Sequence, residues 1–164
     1  MKRLFQILMA IWFISILVFV PFHFCYGAGS VSIASSTITV QAQPTRKIIT
    51  LSWACEAGAA TIPNTTIGAE TYGIKGWYFY SAETNPGATA PTTLYDITIL
   101  DADGADLAGS LLMNRSATLT EGPIAMALGT TGHPPVVRGD LTFTLSNNAV
   151  NAALGTCILV FIAN

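Results

Sequence analysis

The sequence predicts an all-β protein, a single antiparallel β-sandwich of about seven to eight strands after an N-terminal signal helix. Several short stretches alternate apolar and polar residues, which is typical of strands with one buried face. Turn-forming pairs, such as Pro86–Gly87 and Asp103–Gly104, separate these stretches. The length of 164 residues fits one domain. These three observations together favour a sandwich over helical or mixed folds.

Individual strands follow from the side-chain pattern. Leu141, Phe143 and Leu145 alternate with polar residues, which predicts a half-buried strand. The last run, residues 157–162, is apolar on both faces, which predicts a central position in its sheet. In chain order, the predicted strands cover residues 31–40, 49–55, 74–80, 95–99, 123–128, 141–146 and 157–162.

Residues 1–27 have the layout of a secretory signal peptide. Lys2 and Arg3 precede a long apolar stretch, and small residues at Cys25 and Gly27 predict cleavage after Gly27. The alternative is an uncleaved membrane anchor, since residues 4–24 are long enough to span a bilayer. We therefore expect a domain of residues 28–164 that is secreted, periplasmic or at the cell surface. Its only contact with a membrane would be through an uncleaved N-terminal segment.

The charge of the predicted domain restricts its function. Residues 28–164 contain five Lys or Arg and nine Asp or Glu, so the domain is mildly acidic. This balance argues against a nucleic-acid partner, which needs a basic face. His133 is the single histidine after residue 27, and there is no Gly-x-Ser-x-Gly nucleophile motif. We expect His133 to lie in an exposed loop and the protein not to be an enzyme.

Two cysteines, Cys55 and Cys157, remain after residue 27. In an oxidising compartment a pair of cysteines is more often bonded than free. Each ends or begins a predicted strand on its inward face, so we expect a Cys55–Cys157 disulfide. The alternative is a pair of buried thiols that only pack.

An acidic turn is a candidate metal site. Asp101, Asp103 and Asp106 place three carboxylates within six residues, and Ca²⁺ prefers such oxygen ligands. The alternative is a turn in which these side chains accept backbone amides. Ca²⁺ through this turn is the one cofactor that the sequence suggests.

An aromatic cluster is a candidate binding surface. Trp77, Tyr78, Phe79 and Tyr80 are consecutive, so a strand would direct Trp77 and Phe79 to one face and the two tyrosines to the other. One pair then belongs to the core, and the other is available to a glycan or a protein. The alternative is a strand covered on both faces.

Residues 85–106 contain a Pro-Gly turn, an Ala-Pro-Thr, a Tyr-Asp strand and an Asp-x-Asp-Gly-x-Asp turn. Together with residues 49–53, 114–115, 141–147 and 155–161, this pattern resembles a family of small, mostly uncharacterised tailed-phage proteins encoded among virion structural genes. The resemblance extends over about residues 46–162. It implies a β-sandwich with a structural role and carries no active site. The signal peptide and the cysteine pair depart from the family pattern, which suggests a phage-type sandwich reused as an exported bacterial protein.

The function expected from these patterns is that of an exported, noncatalytic structural or assembly module. Exposed strand edges would mediate self-assembly or contact with a protein partner. The alternative is an extracellular binding module for glycan or Ca²⁺ that uses the residues from Trp77 to Tyr80 or the turn from Asp101 to Asp106. A hydrolase with carboxylate catalysis is the least favoured hypothesis.

Overall fold

The computed structural model describes residues 28–39, 43–126 and 132–163. These residues form eight β-strands, which confirms the all-β prediction. The signal peptide predicted for residues 1–27 lies outside the described residues. Within them, no helix combines the length and the apolar character needed to cross a membrane. The strands are β1 (Ser30–Ile38), β2 (Arg46–Ala54), β3 (Thr65–Ile67), β4 (Tyr78–Pro86), β5 (Asp96–Leu100), β6 (Glu121–Ala125), β7 (Leu141–Ser146) and β8 (Leu154–Ile162).

The strands form two antiparallel sheets, as the sequence predicts for a sandwich. The five-stranded sheet has the order β1-β2-β8-β4-β6, and the three-stranded sheet has the order β3-β7-β5. β8 pairs with β2 on one side and with β4 on the other, which confirms its predicted central position. The five-stranded sheet therefore has β1 and β6 at its edges.

The core lies between the two sheets and is built by the alternate side chains of each strand. β2 directs Ile49, Leu51 and Trp53 inward, and all three are buried. The Trp53 ring meets Tyr95, which precedes β5, with ring centroids 5.9 Å apart. Further fully buried side chains come from both sheets, including Phe79, Ile97, Ile99, Leu141, Phe143, Leu159 and Phe161.

β4 differs from the strand predicted over residues 74–80. Residues 74–77 form a turn, in which the Trp77 amide donates to the Ile74 carbonyl and Gly76 has a φ of +81°. Because an extended strand cannot include that conformation, β4 begins only at Tyr78. It then continues through Asn85 and Pro86, which we predicted as part of a turn.

The remaining strand boundaries differ by a few residues. β1 ends at Ile38, and β2 begins at Arg46, three residues before the predicted start. β6 begins at Glu121, and the last residues of the strand predicted over 123–128 lie outside the described part of the chain. β3 was not predicted, because three residues are too few to show an alternating pattern.

Candidate interaction surfaces

β1 forms an open edge of the five-stranded sheet. Its nine residues pair one to one with β2 without a register shift, from Ser30 opposite Ala54 to Ile38 opposite Arg46. Its other side has no backbone partner among the described residues. The strand contains no charged residue and no proline, which are the usual means of protecting an edge from pairing. β1 is therefore a template for a further antiparallel strand.

The other three sheet edges are less accessible. β6 is short, contains Pro123, and shows a register shift against β4. β3 has only three residues. The outer side of β5 is occupied by the chain that follows it, since Ile97 donates its amide to the Leu112 carbonyl and Leu107 donates to the Ile99 carbonyl. Among the described strands, β1 alone offers a long open edge.

The side of the five-stranded sheet that faces away from the three-stranded sheet, called here the outer face, is apolar at one end. Ile48 of β2 lies beside Val160 of β8, and Ile158 and Ile162 flank Val160 on the same face. All four side chains keep part of their surface exposed, as does Tyr78 beside Ile162. These five residues are defined here as the apolar half of the outer face. No element among the described residues covers them with a further layer.

The opposite end of the outer face carries small polar side chains. A cross-strand row runs from Ser32 through Ser52 and Thr156 to Asn85. The Thr120 hydroxyl extends the row by donating to Asn85 Oδ1 at 3.0 Å. Ser32, Ser52, Thr156 and Asn85 line a shallow groove of about 390 Å³. The outer face is thus divided into an apolar half and a hydroxyl half.

The aromatic cluster is only partly available for binding. Phe79 is fully buried and stacks on Phe161 with centroids 5.2 Å apart. The register of β4 against β8 shifts between Phe79 and Ser81, so Tyr80 is the extra residue of a β-bulge and is 43% exposed. Trp77 is half-buried and precedes the strand, with Lys47 Nζ 5.7 Å from its ring centroid. The cluster therefore does not present two rings on each face of a strand, as predicted. Of its four rings, that of Tyr80 is the exposed one.

The acidic turn uses its carboxylates internally. Asp101 Oδ1 accepts the amides of Asp103 and Ala105. Asp106 accepts three hydrogen bonds from backbone amides. Those of Ile99 and Ala108 donate to Oδ1, and that of Ser110 donates to Oδ2. Among the described residues, no group of three acidic, histidine or cysteine side chains is arranged to hold a metal ion. The geometry matches the alternative of a hydrogen-bonded turn.

A neighbouring cation makes the turn still less suited to Ca²⁺. Arg138 lines the same depression of about 240 Å³ as Asp101 and Asp106. A positive charge near these carboxylates opposes the attraction that they would exert on a cation. His133, the remaining candidate for polar chemistry, is exposed as predicted.

The structure corrects the prediction of a Cys55–Cys157 disulfide. Both cysteines are buried and free. Cys157 is opposite Leu51 on β2, and the Cys55 amide bonds to the Ala153 carbonyl, four positions further along. Four residues of strand span about 13 Å, whereas a disulfide needs Cα atoms within about 7 Å. Both side chains point inward, as expected, but at different levels of the sandwich.

The buried thiols are held in their neutral form. Burial raises the pKa of the Cys157 thiol to about 12. Burial also raises the pKa of Cys55, against the smaller opposing effect of a hydrogen bond from Asn148, whose Nδ2 lies 3.2 Å from Sγ. Because the thiolate is the reactive form, neither cysteine is a nucleophile in the folded protein.

The sequence interpretation overlooked the outer face. The apolar character of both faces of β8 predicts a central strand, and β8 is central in its sheet. It also indicated an apolar outer surface, because Ile158, Val160 and Ile162 all point away from the core. The charged residues on this face, Arg46 and Glu83, were likewise not singled out.

Comparison with known proteins adds little to this description. A solved structure described as "Cyanophage Pam1 capsid asymmetric unit" is similar over 88% of this chain and 91% of that chain, with 18% sequence identity and a TM-score of 0.30. It is a weak structural neighbour. No protein-family model and no curated protein matches the chain.

Proposed function

We propose that this chain is an exported, noncatalytic β-sandwich that acts as a structural module by pairing through the open edge of β1. Export is inferred from the signal-peptide layout of residues 1–27. The noncatalytic role is inferred from a sequence without a nucleophile-and-base motif. The sequence resemblance to phage virion-associated proteins favours an assembly role over ligand binding.

The single observation that carries the proposal is the unprotected edge of β1. Soluble proteins avoid exposing long, regular edge strands, because such strands pair with other chains. Here the other three edges are short, shifted or occupied, while β1 remains open over nine uncharged residues. The contrast within one molecule supports β1 as the interaction edge.

The chemistry of β1 suits strand addition. Small side chains dominate the strand, and two of its larger apolar residues, Val31 and Ile33, pack partly against the core. The second half of the strand is exposed on both faces, so Ser35 and Thr37 stay accessible. Main-chain hydrogen bonds would provide the affinity, and small side chains would let a partner strand approach. With a second copy as partner, two β1 strands would pair antiparallel about a two-fold axis.

The test places charges on the edge. In the variant Ser35→Glu/Thr37→Glu we expect loss of the edge contact, because four carboxylates of two copies would be brought together without partners. The full chain, expressed from its complete sequence and purified in mild detergent, is measured by size-exclusion chromatography with light scattering. We expect its molar mass to fall by a factor of about two or more. The intact mass of the same sample reports whether residues 1–27 have been removed.

Thr66→Glu/Thr93→Glu is the matched control, since both residues are exposed and lie away from β1. This control should keep the wild-type molar mass. A wild-type chain that is monomeric at all concentrations and binds no partner strand would contradict the proposal. So would an equal loss of mass in both variants.

A glycan-binding module is the second candidate, and it rests on Tyr80. Tyr80 is 43% exposed at the bulge of β4, and an exposed tyrosine ring can stack on a sugar. The neighbouring aromatic rings are half-buried or buried, so this surface offers a smaller platform than the sequence suggests. A monomeric chain in the experiment above would make this the stronger candidate.

A further inference from the structure

We propose that two copies of this chain also pack face to face through the apolar half of the outer face, about a two-fold axis that passes near Val160. This contact is a second interface, separate from the β1 edge. It shares with the proposed function only the premise that the chain assembles, and it stands on different residues.

The first support is the composition of the face. An outward sheet face that meets only water normally carries polar side chains at alternate positions. On β8 the three consecutive outward positions at this end of the sheet are instead Ile158, Val160 and Ile162. Ile48 and Tyr78 widen the patch on the neighbouring strands. Such a contiguous apolar patch on a sheet is typical of an interaction surface.

The second support is the charge pattern, which makes the face complementary to itself. Across the outward positions of β1, β2, β8 and β4, the charged residues are one cation, Arg46, and one anion, Glu83. Among the described residues, neither makes an ion pair or a side-chain hydrogen bond within the chain. A surface with one free charge of each sign can pair with a copy of itself if symmetry brings the two signs together.

The strand register places these charges on opposite sides of Val160. Arg46 is opposite Ile162 on one flank of β8, and Glu83 is opposite Ile158 on the other. Val160 lies midway between Ile158 and Ile162 along β8. With about 3.4 Å per residue and about 4.8 Å between strands, Arg46 and Glu83 are each about 8 Å from this midpoint.

Consider a two-fold axis that lies in the plane between two such faces and passes over Val160. If it runs at right angles to the line from Arg46 to Glu83, it exchanges the positions of the two charges. Arg46 of each copy then lies over Glu83 of the other, and the apolar halves are buried between them. The strands of the two copies cross at about 70°, which is close to the orthogonal class of sheet packing. The occupant of the apolar half is therefore a second copy of the same chain.

The test uses a cysteine at the axis. In Val160→Cys, made in a Cys25→Ser background, the new thiols of two copies face each other across the about 10 Å that separates two packed sheets. Cys55 and Cys157 are buried, so a short bis-maleimide should link the two new thiols and yield a covalent dimer of the full chain on a denaturing gel. Thr156→Cys is the matched control on the same face and strand. It lies about 13 Å from the axis position, so it should remain monomeric on the gel.

Charge exchange provides an independent readout in the Val160→Cys background. Arg46→Glu and Glu83→Arg, each alone, should reduce the cross-linked fraction severalfold by opposing like charges. The combination of both should restore it, because the pairs re-form with reversed signs. Circular dichroism of each single variant checks that it is folded.

Three results would overturn the inference: no cross-linking of Val160→Cys, equal cross-linking of Thr156→Cys, or no restoration in the charge-exchanged protein. Ser35→Glu/Thr37→Glu, introduced with Val160→Cys, separates the two interfaces. If the face contact is real, cross-linking survives the loss of the edge contact, whereas failure at the face leaves the β1 proposal untouched.

Discussion

Asp106 illustrates how a single side chain can organise a turn. Its two carboxylate oxygens accept backbone amides from Ile99, Ala108 and Ser110 and so join the end of β5 to the loop after it. Hydrogen bonds to a charged acceptor are stronger than those between neutral groups. The residue is therefore part of the fold rather than of a metal site.

Replacement of Asp106 tests this structural role. Asp106→Ala leaves three amides without their acceptor, and we expect a loss of about 2–3 kcal/mol in the free energy of unfolding. Asp103→Ala is the control from the same turn, because the Asp103 side chain is exposed and its carboxylate accepts no hydrogen bond in the described part of the chain. Urea unfolding with and without Ca²⁺ measures both variants. A stabilisation by Ca²⁺ that disappears in Asp103→Ala would instead support the metal-site hypothesis.

Cys157 makes the stability of the fold depend on alkaline pH. Its folded-state pKa is raised to about 12, whereas a cysteine in an unfolded chain titrates near 8.5. The unfolded chain therefore loses its thiol proton first, so stability is complete below about pH 8.5 and falls as pH rises toward 12. The expected slope is about 1.4 kcal/mol per pH unit for this one thiol.

Cys157→Ala removes that dependence and provides the measurement. Between pH 8.5 and 10 the free energy of unfolding should fall less steeply in Cys157→Ala than in the wild type, although its value at pH 7 is lower because of the cavity. Tyr95, whose pKa burial also raises to about 12, begins to contribute only above about pH 10. Identical slopes in the two proteins would show that Cys157 is accessible to solvent.

At the scale of elements, the contact between β2 and β8 depends on a missing side chain. A Cβ at Gly155 would overlap Cζ2 of Trp53, so the indole lies directly over the glycine. This close approach lets the largest side chain of β2 fill the core beside Tyr95. Overpacking at such a site destabilises a core because the ring has to leave its rotamer.

Gly155→Ala should therefore lower the free energy of unfolding by about 1–3 kcal/mol. Gly139→Ala is the matched control, because a Cβ there would only touch Ala102 at 3.7 Å. Thermal unfolding followed by circular dichroism compares the two. A tolerated Gly155→Ala would mean that Trp53 has room to move.

The elements that could be predicted are those whose pattern reflects burial on one side. β7 follows from its alternating pattern, in which Leu141 and Phe143 point inward. The central position of β8 follows from a run that is apolar on both faces. The start of β4 could not be predicted, because Ile74 and the aromatic run from Trp77 favour a strand, whereas the conformation of Gly76 prevents one. The cysteine pair was misassigned for a different reason: side-chain direction is local, but the register that separates Cys55 from Cys157 is a property of two strands together.

Only part of the candidate surfaces could be predicted from the sequence. Exposed edges were expected in a sandwich, but which edge stays open depends on contacts such as that of Ile97 with Leu112, which closes β5. Likewise, the opposite charges of Arg46 and Glu83 gain meaning only once β8 lies between them. The sequence can therefore indicate that a protein assembles, whereas the position of the interface depends on the arrangement of the strands.

At the scale of the whole molecule, the two proposed interfaces occupy different parts of one sheet. The edge contact extends the five-stranded sheet in its own plane, and the face contact stacks one sheet on another. Both are isologous, so each copy offers the same patch that it receives. A chain with two such contacts can build an extended array, while a chain with either one alone forms a dimer.

The asymmetry between the edges of the five-stranded sheet has a consequence for growth. With respect to its edges, the five-stranded sheet resembles a monofunctional monomer in polymer chemistry. β1 can pair with a further strand, whereas Pro123 and the shifted register prevent a further strand from pairing with β6. Pairing of two β1 strands uses the open edge of both copies, so the combined sheet has no long open edge left for growth in its own plane. The protein can thus keep β1 open at high local concentration without starting a continuous cross-β fibre, because strand pairing stops at two copies.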